Sequence, residues 1–177
     1  MPSEKLLRLF FALSCPAELA DRIFRWRESQ DFSGRPVAKD NLHLTLAFLG
    51  SQPSTAVEGF MQLGDQLPGE AFTLGLDHVR TIGHGFLCLT PTQAPPALLQ
   101  LVEDLRSSLS PLGLALDSRP FLPHVTLARE ADTPQPCHTT AAFEWQVDGF
   151  GLFRSENIPG GVRYDELAHW PLATPSS

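Results

Sequence analysis

The sequence predicts a mixed domain of helices and strands built from two related halves, and three observations predict it. Short apolar runs with strand character alternate with amphipathic helical stripes along the chain. Two copies of one local pattern recur at an offset of 81 residues. Twice that offset is close to the full 177 residues, so each half has room for one copy.

The elements follow in order. Leu6 to Leu13 is a short apolar run closed by Pro16, as expected of a buried strand. Lys5 and Arg8 ahead of Leu9 to Cys15 give it a superficial likeness to a secretory signal, but the run is too short before Pro16 and the charged stretch after it. Pro16 to Glu28 has helix chemistry, with Pro16 at the first turn and Leu19, Ile23 and Trp26 at helical spacing. A polar loop, Ser29 to Asp40, carries Gly34-Arg35-Pro36. Asn41 to Gly50 then alternates as a half-buried strand: Leu42, Leu44, Leu46 and Phe48 are expected inward, and His43, Thr45 and Ala47 share the other face.

A second helix is expected over Thr55 to Leu67, weakened by Gly59 and Gly64. Phe72 to Val79 and Phe86 to Thr90 read as two strands joined by a turn at Gly83 and Gly85. Pro95-Pro96 opens a third helix whose stripe is Leu98, Leu101, Val102, Leu105 and Leu109, closed by Pro111 and Gly113. Ala131 to Thr140 is expected to be an exposed loop. Strands near Phe143 to Phe153 and Val162 to Trp170 complete the set, and Thr174 to Ser177 are expected to fray.

The bulk numbers exclude several classes. A chain of 42% hydrophobic and 19% charged residues is globular in composition, not disordered. A net charge of -7 argues against a protein that wraps long nucleic acid through many phosphate contacts. A single phosphate needs only a local positive pocket. Cys15, Cys88 and Cys137 are odd in number and widely spaced, which excludes a disulfide framework and a thiolate zinc site and suits a reducing cytoplasm.

The recurring pattern carries the chemistry. Arg35-Pro36 leads to His43-Leu44-Thr45-Leu46-Ala47, and Arg119-Pro120 leads to His124-Val125-Thr126-Leu127-Ala128. In each copy His and Thr share one strand face, close enough to grip one small ligand, while Ala leaves room beside them. A single strand His-x-Thr is ordinarily a hydrogen-bonding surface pair. Two in matched context point to a site in which the dyads face each other about a pseudo-twofold axis.

With these residues the chain resembles the two-histidine (2H) phosphoesterases, specifically the bacterial RNA 2',3'-cyclic phosphodiesterases also described as 2'-5' RNA ligases. The resemblance is carried by Leu9 to Leu13, Gly34 to Val37, Asn41 to Gly50 and Arg119 to Arg129, and spans nearly the whole chain. It implies an α+β fold in one bilobal domain over residues 1–177, two antiparallel sheets backed by helices with the cleft between them. It also implies His43 as proton donor, His124 as proton acceptor, Thr45 and Thr126 on the phosphate oxygens, and no metal or organic cofactor. Arg129, directly after the second motif, is a candidate for further positive charge, though an Arg beside a strand is as often on a solvated face. The expected partners are RNA ends or nucleotides carrying a 2',3'-cyclic phosphate, with no membrane, and the chain is expected to act as a cytoplasmic monomer.

The chemistry accounts for the residue types. In-line hydrolysis of a cyclic phosphodiester needs one group to take a proton from water and another, across the phosphorus, to protonate the departing alkoxide. Histidine populates both protonation states near neutral pH, so a pair can do both. Arg35 and Arg119 read as loop anchors and Phe48 as core, and His78, His84, His138 and His169 have no matched context. Three other readings remain open at this level: a zinc hydrolase, although no H-x-x-x-H spacing is present; a nucleotide-binding module without turnover; and a 2H enzyme acting on small cyclic nucleotides.

Overall fold

The computed structural model describes residues 5–114, 120–132 and 140–174. Strand β1 (Leu6–Ser14) is the first apolar run; Leu9 to Leu13 are at most 3% exposed because both of its faces are covered. Helix α1 (Ala17–Ser29) buries Leu19, Ile23 and Arg27, the four-residue spacing of a helix face. The expected polar loop contains a two-residue strand, β2 (Arg35–Pro36), and a 3-10 turn at Lys39–Asn41. Strand β3 (His43–Pro53) follows, then α2 (Val57–Asp65), shorter than the sequence suggests because Ser54–Ala56 forms a 3-10 turn. Gly64, which counts against this helix by propensity, stands where an added Cβ would lie 2.3 Å from the ring of Trp170.

The runs Phe72 to Val79 and Phe143 to Phe153 each prove to be two strands. The first divides at Asp77 into β4 (Phe72–Leu76) and β5 (His78–Ile82); the second divides at Asp148 into β8 (Phe143–Val147) and β9 (Gly149–Ile158). The reason is a change of sheet. β4 and β8 pair with each other, with Leu74 opposite Trp145, while β5 and β9 rejoin the larger sheet. Asp77 makes the first corner, its carboxylate accepting from the N–H and hydroxyl of Thr92 at 2.8 and 3.0 Å. The remaining elements are β6 (Phe86–Thr90), α3 (Pro96–Leu109), β7 (Val125–Arg129) and β10 (Gly161–Pro171). Helix α3 buries all five residues of its expected stripe. Residues 133–139 of the expected exposed loop and 175–177 of the expected frayed end lie outside the described residues.

Among the described residues, eight strands form one antiparallel sheet in the order β10-β9-β1-β3-β7-β6-β5, with β2 also on β7. About the β3–β7 seam the order β3-β1-β9 mirrors β7-β6-β5. Chain order repeats in part: strand, helix, motif strand, outlying strand and returning strand occur in each half, with β2, α2 and β10 unmatched among the described residues. This is the α+β architecture of two antiparallel halves, joined at a seam that holds one paired position, Leu44 with Val125. One large core joins the helices to the sheet, and burying each of its leucines contributes about 1.5–3 kcal/mol. A small separate cluster, Phe10, Ala12 and Phe153 with Tyr164 against it, marks a different surface. No helix of the described residues is long and apolar enough to cross a membrane.

Candidate active site

The seam pair lies between the two motifs' functional residues. Leu44 and Val125 are each 0% exposed and point into the core. Continued antiparallel, that register would bring His43 opposite Thr126 and Thr45 opposite His124, with all four on the face away from the core. His43 and His124 are then diagonal neighbours, about 7–8 Å apart in regular pairing. That span suits one tetrahedral phosphate between two rings.

Each imidazole is anchored identically. His43 Nδ1 lies 2.7 Å from the carbonyl of Asn41, and His124 Nδ1 lies 2.7 Å from the carbonyl of Leu122. A carbonyl only accepts, so Nδ1 carries the proton in both rings and Nε2 is left to exchange one. His43 Nε2 meets the Thr45 hydroxyl at 3.0 Å. The His43 ring is half-buried between Phe10 and Tyr164, with centroids 5.2 and 4.9 Å away. This desolvation holds its pKa below the ordinary value of 6.5; the Asn41 carbonyl opposes the shift, and the charges of His124 and Arg129 add to it.

Both motif strands carry a β-bulge at matching positions, β3 has a second at Leu49, and the matching pair corrects the sequence reading. Opposite β1 the register passes from Ala12–Thr45 to Phe11–Ala47, leaving Leu46 as the extra residue. Opposite β6 it passes from Cys88–Thr126 to Leu87–Ala128, leaving Leu127 extra. Leu46 and Leu127 are again 81 residues apart. An extra residue reverses the alternation beyond it. Ala47 therefore turns into the core at 8% exposure, and Phe48, expected inside, stands 51% exposed with the Arg8 guanidinium 5.4 Å from its ring. The matching reversal in β7 brings Arg129, which simple alternation would send inward, onto the face of Thr126.

A cavity of 530 Å³ lies over this face, lined by His43, Thr45, Thr126 and Arg129 together with Arg8, Phe10, Phe48, Phe86, Asn41 and Tyr164 among others. Four of the five expected site residues thus share one cavity. His124 is not in its lining; its place immediately before Val125 of β7 and its electrostatic effect on His43 link it to the group. Sequence reasoning missed Phe10, Tyr164 and Asn41, which enclose and orient His43, and Cys88, whose Sγ lies 3.8 Å from the Thr126 hydroxyl. Burial pushes the Cys88 thiol up to about 11, so it stays protonated. Only the four-residue apolar run Leu46-Ala47-Phe48-Leu49, where alternation fails, signalled that Phe48 could turn outward.

The β2–β7 edge closes the site. Gly34, at φ 99°, lies where an added Cβ would stand 2.5 Å from the carbonyl oxygen of Arg129, so only glycine allows β2 this close. Glu130, just past β7, adopts φ 54°, a left-handed conformation that costs a non-glycine residue about 1–2 kcal/mol. Among the described residues no three His, Cys, Asp or Glu side chains group so as to hold a metal ion.

A family model described as the 2'-5' RNA ligase superfamily matches residues 15–159. An RNA 2',3'-cyclic phosphodiesterase of Escherichia coli is 38% identical over 93% of this chain and 96% of its own length. Another of that name from Thermus thermophilus is 33% identical over 94% and 90%. The crystal structure of E. coli LigT complexed with 3'-AMP superposes with a TM-score of 0.88 at 36% identity, covering 95% of this chain and 99% of that one.

Proposed function

The chain belongs to the 2'-5' RNA ligase superfamily, and from that premise we propose that it hydrolyses RNA 2',3'-cyclic phosphate ends to 2'-phosphates with His43 and His124 as its acid–base pair. The observation that supports this reading is the Leu44–Val125 pair, with His43 just before one partner and His124 just before the other, each imidazole tethered through Nδ1 to a backbone carbonyl.

In the reaction His124 Nε2 takes a proton from water as the water oxygen bonds to phosphorus. The bond from phosphorus to the ribose 3' oxygen breaks, and His43 Nε2–H protonates that oxygen. Thr45 and Thr126 donate to the non-bridging oxygens, and Arg129 offsets their charge. In the free protein the lowered pKa favours neutral His43. The phosphodiester anion reverses this: a negative charge beside the ring favours imidazolium, so substrate loads its own acid. The Thr45 hydroxyl now on Nε2 gives way to the leaving oxygen and turns to the phosphate. With an RNA 5'-hydroxyl in place of water as the nucleophile, the same groups open the cyclic phosphate to a 2'-5' bond, and the 3' oxygen again leaves as a hydroxyl.

Both motifs come from a single chain, so one bilobal copy suffices to build the site, in keeping with a monomer. Its free thiols at Cys15 and Cys88 suit a reducing cytoplasm.

The test is hydrolysis of a defined RNA oligomer ending in 2',3'-cyclic phosphate, in EDTA, by wild type, His43→Ala and His124→Ala. Each substitution should cost at least about 10²-fold in rate, the size of general acid–base effects. Full activity in either variant, or loss of wild-type activity in EDTA, would overturn the assignment.

A further inference from the structure

A second cavity of 390 Å³ adjoins the first, and Val37, Asn41, Arg129, Val162 and Tyr164 line both. Arg35 lines only the second. Arg35 and Arg129 are register partners across β2 and β7, so their side chains leave the same face of neighbouring strands. Like charges directly opposite on a sheet repel, and this pair sits in a protein whose net charge is -7. Acidic neighbours do little to relieve it: Glu130 stands 4.0 Å from Arg35, with both side chains at least 70% exposed, and among the described residues no carboxylate is in ion-pair reach of Arg129. The arrangement is also held in place, because only a glycine at position 34 lets β2 lie against β7. A positive pair that the fold brings together and compensates only through one exposed ion pair, opening onto a cavity, is suited to an anion with several acceptor oxygens.

We propose that Arg35 and Arg129 form a second phosphate site, which takes the internucleotide phosphate preceding the reacting terminus and makes the protein selective for oligonucleotide ends over mononucleotides. This rests on the phosphodiesterase reading above. Arg129 bridges the two phosphates, and Arg35 contacts only the second. The strand leaves past the β9–β10 turn at Gly160 and Gly161, which line the same cavity.

Three substrates test it: a nucleoside 2',3'-cyclic phosphate, a dinucleotide ending in that group, and the same dinucleotide with a neutral methylphosphonate linkage. Wild type should prefer the charged dinucleotide over the mononucleotide in kcat/KM by roughly 10- to 100-fold, the size of charge-assisted hydrogen bonds. The preference should vanish with the neutral linkage and fall toward one in Arg35→Gln. It should also weaken with salt, by about 0.7 in the log–log slope for one single-strand phosphate contact. Equal handling of all three by wild type would overturn the proposal, as would an Arg35→Gln variant that keeps the full preference. Hydrolysis of none of the three would instead refute the phosphodiesterase reading.

Discussion

The guanidinium of Arg27 donates to the carbonyl of Leu127 at 3.0 Å, reaching from α1 to the bulged residue of the second motif. It also donates to the carbonyl of Val37 at 2.6 Å, and the Val37 N–H itself bonds to Leu127 at 2.9 Å. One buried cation therefore fastens the bulge that turns Arg129 toward the cavity. Burial lowers its pKa, with Glu28 at 3.6 Å opposing the shift.

Arg27→Ala removes the donor, takes the guanidinium partner from the Val37 carbonyl while that of Leu127 keeps the Val37 N–H, and opens space beneath α1. Stability should fall by about 2–4 kcal/mol, the scale of unsatisfied buried groups and truncated core side chains. Urea unfolding measures this; a loss under about 0.5 kcal/mol would mean that the bulge holds itself.

The bulge in β3 makes a ranking that simple alternation would not. Leu46→Ala, at a position 2% exposed, should cost about 2–5 kcal/mol, whereas Phe48→Ala, at 51% exposure, should cost below about 1 kcal/mol. Comparable losses in the two variants would show that Phe48 is packed inside after all.

The proposed role of His43 carries a pH dependence of the rate. Its pKa is lowered in the free protein, and a bound phosphodiester anion would raise it, so with His43 as the proposed acid the optimum of kcat/KM should lie at lower pH than that of kcat. Arg129→Gln removes a charge that depresses His43. The kcat/KM optimum should then move to higher pH, while kcat/KM itself drops roughly 10- to 100-fold. Coincident optima in wild type would contradict this assignment of charges.

The same shift couples folding to pH. The unfolded chain protonates this imidazole near 6.5, and the folded protein does so only at lower pH. Over that window the unfolded state binds more protons, so the contribution is whole above 6.5 and is lost as pH falls toward the folded value. His43→Gln should flatten that part of the stability curve; an unchanged slope from pH 7 to 5 would assign the pH dependence to other groups.

The chemistry of this chain was more legible than its geometry. His43, Thr45, His124 and Thr126 stand out because the motif occurs twice in matched context, and the α3 stripe because five apolar residues keep helical period. The bulges at Leu46 and Leu127 were hidden because an inserted residue has no composition of its own; it shows only as alternation that fails. The corners at Asp77 and Asp148 were hidden because an apolar run has equal strand character whichever sheet it joins. Arg35 read as a loop anchor because two residues are too few to show a period, and its pairing with Arg129 comes from a segment some ninety residues away.

Because Leu44 and Val125 meet at the centre of two like halves, a group on either side encounters the same kind of imidazole, hydroxyl and backbone tether. In the proposed reaction either side can then serve the incoming or the leaving oxygen. Whether an end would be opened or two ends sealed then depends on which oxygen nucleophile is present, water or a second strand's hydroxyl, and in what concentration.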